Sequence, residues 1–158
     1  MSMIKSSILV RNLDIAQLSV SLIKSVNRLL AENPYMDTIV YYQHWGRLPI
    51  PPRFGMLMER EVWGSSGACV ATDLKTAEKL GRCPGDLKKF FYVWNLEWLQ
   101  YGGDYTTINN IYQNPEIELV ARSEYHAEII EKVWKKPAYI MNDFDPEVLK
   151  KILYDSQL

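Results

Sequence analysis

The chain has few cysteines, few histidines and almost no net charge, and each shortage closes off a kind of chemistry. Cys69 and Cys83 are the only two cysteines among 158 residues. They form no metal-type cluster. Cys69 sits in an apolar run and Cys83 in a Gly/Pro turn, which favours two idle thiols over a disulfide. A histidine-based metal site would need both histidines, His44 and His126, together with carboxylates, and no such ligand spacing is present. The formal net charge is -1, with Lys and Arg scattered among acids, so nucleic acid is not an expected partner. Long apolar runs are also missing. The start, MSMIKSSILV, is too short in apolar residues for a signal peptide, and no stretch could span a membrane. A cytoplasmic protein without a membrane partner is expected. There is no G-x-G-x-x-G, Walker A or G-x-S-x-G segment, so NAD binding, P-loop chemistry and nucleophile-elbow chemistry lack their markers and no cofactor is expected.

Apolar residues make up 47% of the chain and charged residues 23%, the balance of an ordinary globular domain with enough length for a real core. No repeat, low-complexity segment or linker divides it, so residues 1–158 read as one domain. Five Trp, ten Tyr and four Phe supply core packing and leave some aromatics for binding surfaces.

The pattern along the chain alternates short apolar runs with helical periods. Strands are expected at Ser6–Arg11, Thr38–Gln43, Ala68–Ala71, Lys89–Trp94, Glu118–Ala121 and Ala138–Met141, six in all. Asp14 is placed to cap a helix running to about Ala31, whose Leu18, Leu22, Ile23, Val26, Leu29 and Leu30 form an apolar face. Leu48–Arg53 (LPIPPR) reads as a rigid extended loop, and FGMLMEREVW as a short helix ending at Gly64. Thr72 or Asp73 caps the helix LKTAEKL, which Gly81 ends. A polar, aromatic loop follows Trp94, and Tyr105–Tyr112 is a short helix. Ser123 caps a helix in which Tyr125, Ile129, Ile130, Val133 and Trp134 share one side. Asp145 caps the last helix, with Pro146 at its first position, where a missing N–H costs nothing. Short, continuously apolar strands alternating with helices predict a three-layer α/β sandwich around a mainly parallel, Rossmann-like sheet.

In such sheets ligands bind beyond the carboxyl ends of the strands. Polar residues cluster at the predicted strand ends: Arg11-Asn12, Gln43-His44-Trp45, Thr72-Asp73, Asn95 with Glu97, Arg122-Ser123-Glu124 and Asn142-Asp143. His44, directly after a strand, is the candidate catalytic base. Arg11, Asn12, Gln43, Asp73, Asn95, Glu97, Arg122, Ser123 and Asn142 are the candidate ligand-binding residues. Several have plainer roles open to them. Ser123 and Arg122 could hold an anion at a helix start, or be a cap beside a solvated arginine. Asp73 reads first as a cap. Trp94 and Trp98 of WNLEW could wall a pocket or cover the sheet edge.

The C-terminal third, IELVARSEYHAEIIEKVWKKPAYIMNDFDPEVL, resembles the end of the N-terminal half of GT-B-type glycosyltransferases. There a strand leads to a Ser at a helix start, then to a helix, a short strand and an N-x-x-D segment. The matching elements are VARS, the helix to Trp134, AYIM and Asn142–Asp145. The earlier pattern, GACVATDLKTAEKL followed by KKFFYVWNLEWL, also resembles that half, and the whole chain resembles small glycosyltransferase-like proteins of tailed phages. The resemblance implies a sugar or sugar-phosphate ligand at the strand ends, with a nucleotide sugar or a sugar acceptor as partner. It also implies that the usual donor-binding half is not in this chain, so that the chain would be either a minimal enzyme or one completed by another subunit, a protein partner or a second copy. The other reading open at this point is a non-catalytic Rossmann-like module, a phage accessory or structural protein acting through a protein partner.

Overall fold

The computed structural model describes residues 2–100 and 104–157, so residues 101–103 of the expected aromatic loop lie outside the described residues. The strands are β1 (Ile4–Val10), β2 (Met36–Tyr42), β3 (Gly55–Met58), β4 (Ala68–Ala71), β5 (Lys88–Val93), β6 (Ile117–Ala121) and β7 (Tyr139–Ile140). The helices are α1 (Gln17–Glu32), α2 (Leu74–Gly81), α3 (Tyr105–Tyr112), α4 (Glu124–Val133) and α5 (Pro146–Leu153). The strands form one sheet in the order β3-β2-β1-β4-β5-β6-β7, and every neighbouring pair is parallel.

Period-two alternation feeds two cores. Ile8, Val10, Val40, Val70, Phe90 and Tyr92 face Leu22, Ile23 and Val26 of α1 and Leu149, Ile152 and Leu153 of α5. Leu9, Tyr41, Ala71, Phe91, Val93 and Leu119 face α2, α3 and α4 through Ala77, Leu80, Ile108, Tyr112 and Ile130. From β1 the chain builds outward one way through α1, then the other way through α2, α3 and α4. Crossovers of one hand therefore put these helices on opposite faces. The three-layer sandwich expected from the alternation is present.

Several local expectations are corrected. The segment expected as a helix from Phe54 to Gly64 is the edge strand β3 followed by a 3-10 turn over Glu59–Gly64, so the sheet has seven strands rather than six. Met and Leu are helix formers, but pairing with β2 decides the conformation. Asp14 does not cap α1. Ala16 occupies that position without a side-chain bond, and the Asp14 carboxylate accepts the Arg47 N–H at 2.6 Å. Gly46 lies so close to that carboxylate that any Cβ there would collide with it. On α4 the expected apolar side is rotated: Ala127, Ile130 and Trp134 pack inward, whereas Tyr125 and Val133 are exposed. The last strand keeps only two of its four expected residues.

Other local readings hold. Asp73 caps α2 in a reciprocal box with Thr76, Ser123 caps α4, and Asp145 caps α5 with Pro146 in its first turn. Both cysteines are free and buried. Among the described residues no helix is long and apolar enough to cross a membrane.

Candidate functional site

The strand order reverses between β1 and β4, and this is where a doubly wound sheet opens a crevice. β1 leads to α1 on one face while β4 leads to α2 on the other, so the two connecting loops part above the strand ends. Thr72 ties the two strands together there, its hydroxyl donating to the Leu9 carbonyl at 2.8 Å. Above it lies a cleft of about 360 Å³. Its walls carry Arg11 and Asn12 from the end of β1, Asp73 after β4, and Trp94, Asn95 and Glu97 after β5.

The charged groups are coupled. Arg11 Nε stands 3.0 Å from Asp73 Oδ2, while Asp73 Oδ1 accepts the Thr76 N–H at 2.8 Å. Glu97 Oε1 accepts the Leu74 N–H at 3.2 Å, at the positive end of α2. Burial and the neighbouring Asp73 carboxylate nevertheless push the Glu97 carboxyl up to about 7, outweighing the Leu74 N–H and the Arg11 charge. Glu97 is therefore a carboxyl able to exchange a proton near neutral pH, beside a second carboxylate and a guanidinium. Such a set can bind hydroxyl groups, and it can accept or return a proton. Comparison of the sequence with models of protein families and with curated proteins finds no match.

Five of the expected ligand-binding residues thus meet in one cleft: Arg11, Asn12, Asp73, Asn95 and Glu97. The others stand apart from its described lining. Gln43 and His44 lie on the loop after β2, where both backbone N–H groups bond the Arg11 carbonyl, at 3.0 and 2.8 Å, and both side chains are exposed. Their loop thus shapes the backbone under Arg11. Arg122 donates from Nε and Nη2 to Asp143 Oδ1 at 3.1 and 2.9 Å. Its guanidinium carbon lies 3.7 Å from the Trp94 ring centroid, so Arg122 braces a wall of the cleft. Ser123 is occupied as a cap. Its Oγ accepts the His126 N–H at 3.2 Å and contacts His126 Nδ1 at 2.7 Å. Burial and the Arg122 charge lower the pKa of His126, so the neutral ring is favoured. Asn142 is exposed in the turn after β7, its carbonyl accepting the Asp145 N–H.

Two parts of the site escaped sequence reasoning. Leu18 and Ser19 in the first turn of α1 also line the cleft, and Ser19 is only 2% exposed. Their signal was position, on the helix that follows the first strand. The other part is Phe144, in the turn whose Asn142-Asp143 pair was expected as a strand-end cluster; Asp143 and Phe144 there take φ of 43° and 57°. Phe144 packs against Trp94 with ring centroids 5.8 Å apart, so this left-handed turn and Arg122 together hold the tryptophan.

Proposed function

We propose that the chain is a glycosyltransferase-like protein that binds a sugar or sugar-phosphate ligand in the cleft between the ends of β1, β4 and β5. One observation carries this reading: Arg11, Asn12, Asp73, Asn95 and Glu97 line a single cleft at the switch point of the sheet. Planar amides and carboxylates beside an indole suit a hydroxylated ring, because each ring hydroxyl both donates and accepts while its C–H face prefers an apolar wall. The resemblance to the N-terminal half of GT-B glycosyltransferases adds the reaction class, and that to small glycosyltransferase-like proteins of tailed phages adds a phage source acting in a host cytoplasm. Under this reading nucleotide sugars and sugar acceptors are the compounds to try.

Ligand-observed NMR with nucleotide sugars, sugar phosphates and free sugars tests this reading. Saturation transfer to one such class, lost in Asn95→Ala, is the expected result. Silence across all three classes, with the chain alone and with candidate partner chains, would sink it. A second reading, a non-catalytic module docking a protein, is favoured by Leu57, Met58 and Trp63. All three are exposed, at 43%, 42% and 47%, Leu57 and Met58 on the edge strand β3 and Trp63 in the 3-10 turn that follows it.

A further inference from the structure

The switch-point cleft has a charge balance that restricts its ligand. Among its described lining residues Arg11 is the one cation, and its Nε is already engaged by Asp73 at 3.0 Å. Glu97 adds a second carboxylate. The groups facing Glu97 are Asp73 from the β4–α2 junction, Arg11 from the end of β1, the Leu74 N–H of α2 and the buried Tyr112 of α3. The lining is thus net negative when Glu97 is ionised and neutral when it is protonated. An anion entering would meet two carboxylates and a cation already paired. A neutral hydroxyl would instead find acceptors on both acids and donors on the Asn12 and Asn95 amides. Asn12 keeps its NH₂ available, since its Oδ1 accepts the Asp14 N–H at 3.1 Å. Val10, Ala16 and Leu18, together with Trp94, supply the apolar part of the lining.

We infer that the cleft takes an uncharged sugar ring, held through its hydroxyls by Asp73, Glu97 and the two amides, and discriminates against the phosphorylated form of the same sugar. This rests on the reading of the cleft as a sugar site and narrows it. The ionised Glu97 is the better hydroxyl acceptor, because Oε1 is committed to Leu74 and the second oxygen then offers its lone pairs without a proton.

The test is calorimetric titration of the full chain with methyl glycosides of glucose, galactose, mannose and N-acetylglucosamine, and with the corresponding sugar 1-phosphates, at pH 6 and pH 8. At least one glycoside should bind about tenfold more tightly than its 1-phosphate at pH 8, where the like charges oppose the phosphate. With Glu97 titrating at about 7, its affinity should rise about tenfold between the two pH values. Glu97→Gln should abolish that rise and narrow the gap to the phosphate. Should that variant not fold, Asn95→Ala replaces it: loss of glycoside binding supports the inference, and unchanged binding overturns it. A 1-phosphate that binds more tightly than its glycoside overturns the inference and leaves the sugar-site reading standing. Binding of neither class overturns both.

Discussion

Glu97 is the side chain whose surroundings most change its chemistry. Burial and Asp73 raise its carboxyl from an ordinary 4.5 to about 7. In that interval the folded chain holds a proton that the unfolded chain has released, so stability falls as pH rises. The favourable contribution is complete below about pH 4.5 and is lost as pH climbs through about 7. Glu97 is partly open to solvent, which reduces the effect to on the order of 1–2 kcal/mol. Urea denaturation at pH 5 and pH 8 should show this decline, and Glu97→Gln should flatten it. Trp134 is governed by packing instead. It is 8% exposed, and its ring stacks on Tyr112 with centroids 4.9 Å apart. Trp134→Ala should cost about 3–5 kcal/mol by denaturant melt. A loss below about 1 kcal/mol would place the ring outside the core.

The ends of β6 and β7 act as a brace. Arg122 after β6 reaches Asp143 after β7, and the guanidinium lies over Trp94 after β5. Three strand ends are thereby linked on the side of the cleft away from β1. Arg122→Ala should remove about 1–2 kcal/mol, the sum of a partly buried cation–π contact and a half-exposed ion pair. It should also shift the emission of Trp94. Unchanged emission and stability would return Arg122 to the role of a free cation available to a ligand. The two sheet edges are weaker elements. β3 pairs only with β2, and β7 contributes two residues paired only with β6. Amide hydrogen exchange should therefore open β3 and β7 first and leave β1 and β4 protected longest. Equal protection across the sheet would contradict that order. The β3 edge was hidden in the sequence because Met56, Leu57 and Met58 carry no β-branched signal and show no clean alternation.

At the scale of the molecule, the alternation of apolar runs and capped helices was enough to specify a parallel three-layer sheet. Those signals are local: Asp73, Ser123 and Asp145 each bond an N–H two or three residues away, and each strand end is marked by its own polar residues. The same locality marked ten residues at strand ends as site candidates. Which of them meet depends on strand order, and strand order is set by long-range packing that no short window contains. Placing β4 beside β1 brings Asp73 to Arg11 across 62 positions of sequence, and β5 then delivers Glu97 to both. Strand order also puts the end of β6 two strands away from β4, where Arg122 meets Asp143 rather than the cleft. Fold class and the caps at Asp73, Ser123 and Asp145 were thus written in neighbouring residues, whereas Asp14 was drawn from its expected cap by the distant Arg47 N–H. The cleft, its paired charges and the raised Glu97 carboxyl exist only once the sheet has closed its order, because burial and charge proximity are properties of the packed chain.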